Sequence, residues 1–304
     1  ILFAGRLIDG ASGASVSVAQ AAVADVATPA QRARLMGLLG AAFGVGFVAG
    51  PALATLAALG GPPVPFFVAS AIAFVNGLVA IRRLPETRSS TPTPAPAHVE
   101  LPPEDDNSDS HTILRLIAVA FAAMLAFSAF EATFALLAEH RFDLGLSSTA
   151  AVFTIIGIVL VIVQAGLVGP VNDRLGEAIT LRLALVANGI GLLVLALDAG
   201  WFGLVASLAL LVLGQGLITP TLSSAVAGRA ADRRGQWLGW QQAAGGVARV
   251  LGPAAGGALF QQVGVGAPYI AGAVAVGVAL ALVPGPPKGW RRRRTPGTVE
   301  VTGR

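Results

Sequence analysis

Four charged side chains stand inside stretches that are otherwise apolar: Arg6, Asp9, Glu131 and Arg249. A charge in hydrocarbon costs several kcal/mol unless it is paired or hydrated, so each marks a place where an ion pair, a proton or a polar solute is handled. Arg6 and Asp9 are three residues apart, on neighbouring parts of one helical face, which is the spacing of an internal ion pair. Glu131 lies about 12 Å along a helix axis from Glu139. A carboxyl at that depth suits a carrier that exchanges a proton as charge enters and leaves its surroundings; its other role is an ion pair with Arg6 or with a helix not seen here. Arg249, just before Gly252-Pro253, suits either a structural bond to carbonyls or an acid, or contact with a solute. Gln215 offers a donor and an acceptor for neutral recognition. Gln20, Asn76, Gln164, Asn188 and Gln241 are expected to bond helix to helix.

Other chemistries find no support. The chain has no cysteine, and its three histidines, His98, His111 and His140, fall in or beside connections, so neither a disulfide nor a metal centre is expected. No phosphate-binding glycine loop, HExxH motif or nucleophile triad is present, so no enzyme activity and no cofactor are expected.

The elements that must position these residues are membrane helices. The 304 residues are 55% hydrophobic and 12% charged, with mean hydropathy +0.75, whereas about a quarter of the residues of a soluble domain are charged. From Leu35 to Ile81 there is no charged side chain; Gly60-Gly61-Pro62-Pro63 interrupts the run and Arg82 and Arg83 end it. That is two spans of about 20 residues joined by a turn. The same reasoning gives helices near 1–25, 35–59, 64–82, 113–138, 147–168, 180–198, 202–225, 236–260 and 267–284, an all-α bundle of about nine spans.

Basic residues gather at one edge: Arg32 and Arg34; Arg82, Arg83, Arg88 and Arg115; Arg174 and Arg182; Arg229, Arg233 and Arg234; and the tail with Lys288 and Arg291 to Arg294. The opposite connections supply Arg141. The positive-inside rule places the first set and the C-terminus in the cytoplasm, with a plasma membrane as the expected location. Asp25, Arg32 and Arg34 then organise the inner mouth. The proline-rich segment 85–111, with Glu104, Asp105, Asp106 and Asp109, reads as a linker between 1–84 and the helical unit 112–285, and 286–304 as a basic tail. A net charge of only +4, with positives at membrane edges and no interleaved aromatics, points to anionic lipid rather than nucleic acid.

An internal repeat organises the bundle. Gly37 precedes Gly50-Pro51 by the spacing at which Gly239 precedes Gly252-Pro253, and Pro65-Phe66 is echoed by Pro268-Tyr269. Parallel repeats of this kind build secondary transporters. Three helices before the linker match the last three after it, so three helices are expected upstream of Ile1. With them the bundle has twelve.

In these residues the chain resembles the major facilitator superfamily, in particular its drug:proton antiporters of the tetracycline and multidrug efflux type. Arg6, Gly10 and Gly13 resemble the fourth-helix RxxxGxxG signature. Gly37, Gly46 and Gly50-Pro51 match the fifth-helix antiporter motif, with Ala54-Thr55 in place of its final Gly-Gly. The second copy carries Gly252-Pro253 and Gly256-Gly257. Gly169, Asp173, Arg174 and Gly176 resemble the start of the cytoplasmic loop signature, with Glu177 and Ala178 replacing its basic residues.

The resemblance implies alternating access between two six-helix halves. It implies that Arg6 serves proton-coupled transport on a cavity-lining helix, that the helices of Glu131 and Gln215 face the cavity, and that the Gly-Pro bends guard against leak. Packing without a coupling role is the other reading of those bends. Asp173 is expected to cap a helix and Arg174 to bridge to an opposing helix end or acid. The implied partners are a small-molecule substrate, protons and lipid. The leading function is export of amphipathic or cationic compounds in exchange for protons. The competing readings are movement of an endogenous sugar, amino acid or organic anion, or a receptor, assembly subunit or inactive truncated chain.

Overall fold

The computed structural model describes residues 15–61, 63–83, 106–230 and 233–285, leaving out the side chains at 47, 48, 51, 52, 55, 106–109 and 146. Among them every regular element is helical: α1 Ser15–Val26, α2 Pro29–Ala58, α3 Val64–Arg83, α4 Asp106–Phe142, α5 Leu146–Ile162 running through a π-helical turn Val163–Leu167 into α6 Val168–Leu175, α7 Glu177–Ala196, α8 Gly200–Arg229, α9 Arg234–Gln262 and α10 Ala267–Leu282. Five helical stretches are long and apolar enough to cross a membrane: 64–83, 110–142, 147–175, 177–196 and 200–229. This is a multi-span helical bundle, but by that measure it shows five spans rather than nine. The shortfall has identifiable sources. The described part of α1 and the whole of α10 have only 12 and 16 residues. In α9 the polar Gln236, Gln241, Gln242 and Arg249 dilute the apolar run.

Glycine lets the helices meet at backbone distance, the packing device available where lipid removes any hydrophobic drive. At Gly252 an added Cβ would lie 2.9 Å from the Leu125 carbonyl and from Ser128 Cβ, and at Gly256 it would lie 3.1 Å from Ala129. Helices α9 and α4 are therefore pressed together there. Gly191 and Gly214 do the same between α7 and α8, the latter 2.7 Å from the Ala184 carbonyl. Gly37 seats α2 on the π turn, where an added Cβ would lie 2.5 Å from the Gln164 carbonyl. The first-copy glycines Gly46 and Gly50 meet nothing within 4 Å, nor does Gly257. The described residues thus give the two Gly-Pro copies different neighbours.

At the centre of the bundle, Phe130, Phe134 and Leu137 of α4 pack with Tyr269 of α10, Leu185 and Leu192 of α7 and Leu222 of α8. Thr133 Oγ1 and the Tyr269 hydroxyl bond at 3.1 Å inside it. Arginines close helix ends, as the macrodipole favours. Arg141 donates to Leu195 and Ala196 carbonyls at 2.8 and 3.0 Å, and Arg115 donates to the Leu282 carbonyl. Arg115 and Arg141, at opposite ends of α4, thus each tie a neighbouring helix end to it.

Two elements differ from expectation. Helix α4 begins at Asp106, inside the segment read as linker. The span near 147–168 extends to Leu175 through the π turn. Pro170 lacks the N–H that would bond the Gly166 carbonyl, and the turn ahead of it is wound wide, with Val168 N–H on the Val163 carbonyl.

Candidate functional site

A cavity of about 460 Å³ opens between α1, α2, α4, α5, α8 and α9. Phe43, Phe127, Phe130 and Phe153 form its aromatic wall, and Gly40, Gly44, Gly157 and Gly245 keep it wide. Two charges and five amides supply its polarity: Glu131, Arg249, Gln20, Gln164, Gln215, Gln241 and Gln242.

The charges are set by the glycine seam between α4 and α9. With Gly252 against Ser128, and Ser128 Oγ donating to the Arg249 carbonyl at 3.5 Å, Glu131 and Arg249 face the same space from two helices. Both side chains are exposed. Hydration within the cavity is what makes two charges at this depth tolerable. The Arg249 guanidinium acts electrostatically on the Glu131 carboxylate without touching it in an ion pair. Glu131 is therefore partnered by Arg249 here, and each keeps room for a third group.

The amides occupy the other end. Gln20 Nε2 and Gln241 Nε2 both donate to Ser223 Oγ at 3.2 Å, and Gln242 Nε2 donates to Gln20 Oε1 at 3.3 Å. This network ties α1 to α8 and α9, the helix-to-helix role expected of Gln20 and Gln241, while the same side chains line the cavity. Gln215 on α8 is buried beside it. Gln164 sits in the π turn, its amide oxygen filling the space left by Gly40. Pro220, inside α8, also lines the wall.

About 7.5 Å further along α1, Asp25 accepts from Arg234 Nη1 at 2.8 Å and clasps α1 to α9. Ser224 Oγ donates to Glu177 Oε1, and Arg229 lies 4.0 Å from the same carboxylate. Arg32, near Gly228, completes the cluster; burial and then Arg234 press its guanidinium below its ordinary pKa, with Glu177 acting the other way. The Arg34 stem packs on Gly169, which seats α2 on α6.

Several expected residues fall elsewhere. Arg6 and Asp9 lie outside the described residues, as does the side chain of Pro51. Asp173 and Arg174 are in the last turns of α6 rather than in a loop, and both are exposed. Asp173 does not cap α7: the cap position is Gly176 at φ 78°, without a side-chain bond. Gly46 and Gly50 pack on no described helix, whereas Gly252 and Gly256 do. Pro253 stands inside α9 with its ring exposed. The clasp residue Arg234, the tie through Glu177 and the amide floor were not anticipated. A run of Gln at one helical face, Gln241 and Gln242 with Gly245 and Arg249, is the signal that could have found the floor.

The fold is a bundle of membrane-length helices around one polar-lined cavity. The chain belongs to the Major Facilitator Superfamily, whose model matches residues 1–168 and 116–301. Its members are carriers, not enzymes. The chain is 29% identical over 269 residues to multidrug resistance protein 2 of Bacillus subtilis (strain 168), covering 86% of this chain and 66% of that one. It is 31% identical over 232 residues to the class B tetracycline resistance protein of Escherichia coli, covering 73% and 56%. It thus spans less than two thirds of the length of these relatives. Among solved structures, the human organic anion transporter MFSD10 (TETRAN) superposes with a TM-score of 0.78 at 25% identity, covering 93% of this chain and 70% of that chain.

Proposed function

We propose that this chain belongs to a carrier that moves a small amphipathic organic anion across the membrane by opening one cavity to either side in turn. The carrying observation is the accessible Arg249 guanidinium at a phenylalanine-walled cavity, coupled to Glu131 but not bound to it. The likeness to a solved organic anion transporter supports the same class. A carboxylate on the solute competes with Glu131 for Arg249, and Glu131 then takes up a proton. Anion and proton bind together. The basic edge, with the C-terminus beside it, faces the cytoplasm of a cell whose plasma membrane holds the protein.

Exchange of a cationic or amphipathic compound for protons is the second reading. Glu131 favours it, as do the two relatives named for multidrug and tetracycline resistance. There a cation is drawn to Glu131 and expels its proton, so the two readings differ in the sign of proton linkage. Counterflow in vesicles holding the full-length protein separates them, with 2-naphthoate and tetraphenylphosphonium as probes and with and without a proton gradient. Exchange of 2-naphthoate with proton uptake, lost in Arg249→Gln, is the expected result. Exchange of tetraphenylphosphonium alone, with proton release, supports the second reading and defeats the first.

A further inference from the structure

We propose that the amide end of this cavity is a recognition subsite for a neutral, donor-rich head group on the solute, received by the side-chain oxygens of Gln164, Gln215 and Gln241. The proposal rests on reading the cavity as the transport site. The three side chains are 6%, 5% and 7% exposed, all three line the cavity, and the Oε1 atom of each has no hydrogen-bond partner. A buried acceptor left unpaired carries its full desolvation penalty, and native proteins keep few of them. All three oxygens are enclosed by protein, and a ligand supplying N–H or O–H groups completes them as the amides turn into the cavity.

Two of the amides are held in place by the protein itself. Gln241 is anchored through its Nε2 to Ser223 Oγ. Gln164 is carried by the π turn, and Gly40 leaves room for its amide: a Cβ there would lie 2.7 Å from Oε1. Gly216, beside Gln215, brings α8 against Val163 of the same turn, 2.6 Å from where a Cβ would stand. Two carriers of unpaired oxygens are thus packed side by side. The neighbouring Gln20 and Gln242 are already bonded to each other; other unpaired buried polar atoms, on Arg32, Asn172, Thr180 and Asn188, lie away from the cavity.

At Gln241 the subsite is separate from the charge on the same helix. Gln241 and Arg249 are eight residues apart on α9, about 12 Å along the axis. A solute that uses both ends carries an anion at one end, an aromatic or aliphatic body against Phe127, Phe130 and Phe153, and at the other end an uncharged group with several donors, such as a primary carboxamide or a set of hydroxyls. Ester or tertiary-amide analogues keep the shape and lose the donors. Sites built on hydrogen bonds reject such analogues strongly, because their own polar groups are then left unpaired.

The test is calorimetric titration of the full-length protein in lipid nanodiscs with three probes: 2-naphthamide, N,N-dimethyl-2-naphthamide and 2-naphthoate. Wild-type protein is expected to bind 2-naphthamide at least about tenfold more tightly than its dimethyl analogue. Gln215→Leu and Gln164→Leu are expected to shrink that gap below about threefold, and Gly40→Ala, which displaces the Gln164 amide without removing it, to narrow it. Equal affinity of the two amides for wild-type protein, as when water alone satisfies the oxygens, overturns the proposal without recourse to any variant. So does a gap that survives both leucine substitutions. Binding of 2-naphthoate that depends on Arg249, with no preference between the amides, overturns the subsite and leaves the transport reading standing. Failure of all three probes overturns both.

Discussion

At the scale of the residue, Glu131 and Arg249 matter because they are close enough to feel each other and far enough apart to admit a third group. Replacing Glu131 by Gln removes the proton acceptor while keeping size and hydrogen bonding. Glu131→Gln is expected to bind 2-naphthoate without the uptake of about one proton that accompanies binding to wild-type protein, measured by titration in buffers of different ionisation enthalpy. The sign is worked out simply: uptake on binding means that affinity rises as pH falls, and in the variant it is flat. These residues were legible in the sequence, since a charge in an apolar span is costly and conspicuous. The sequence singles out Gln215 for neutral recognition, whereas Gln164 and Gln241 read as helix-to-helix glue. A lone amide in a span is ordinary, and its surroundings depend on neighbours such as Gly40, more than a hundred residues from Gln164 in the chain.

At the scale of the element, the α4–α9 seam fixes the separation of the two charges. Gly252→Leu forces a side chain into the Leu125 backbone and Ser128 and is expected to destabilise the protein by about 1–3 kcal/mol, read as a lower melting temperature in detergent. Gly257→Ala, with nothing within 4 Å, is expected to be neutral or to stabilise by up to about 1 kcal/mol through helix propensity alone. Two glycines five residues apart thus have opposite consequences. The sequence repeat marked Gly50 and Gly252 as equivalents, and in letters they are. Their neighbours differ, because α4 lies against the second copy while no described helix lies against the first. The π turn was likewise hidden, because periodicity cannot distinguish a wide turn from a regular one. Asp173 and Arg174 read as loop residues on their resemblance to the cytoplasmic loop signature, and the helix continues through them to Leu175.

At the scale of the whole molecule, the Asp25–Arg234 pair and the amide floor close one end of the cavity by joining α1 to α9, residues more than two hundred positions apart. Such a pairing is invisible in sequence, where only the crowding of Asp25, Arg32 and Arg34 is apparent. A buried or half-buried contact of this kind biases which state is populated, and removing it shifts the balance by as much as it differed between the states. Asp25→Asn with Arg234→Gln is therefore expected to favour opening at that end. The absence of cysteine from the chain makes this measurable without background. A single cysteine replacing Thr219, which lines the cavity, reports access when membrane-impermeant maleimide is applied to one face of oriented vesicles at a time. In the otherwise unaltered protein, labelling is expected from the face opposite the clasp, with labelling from the clasp face rising at least about tenfold once Asp25 and Arg234 are neutralised. Equal labelling from both faces in the unaltered protein, or a pattern indifferent to the clasp, would contradict a cavity opened to one side at a time.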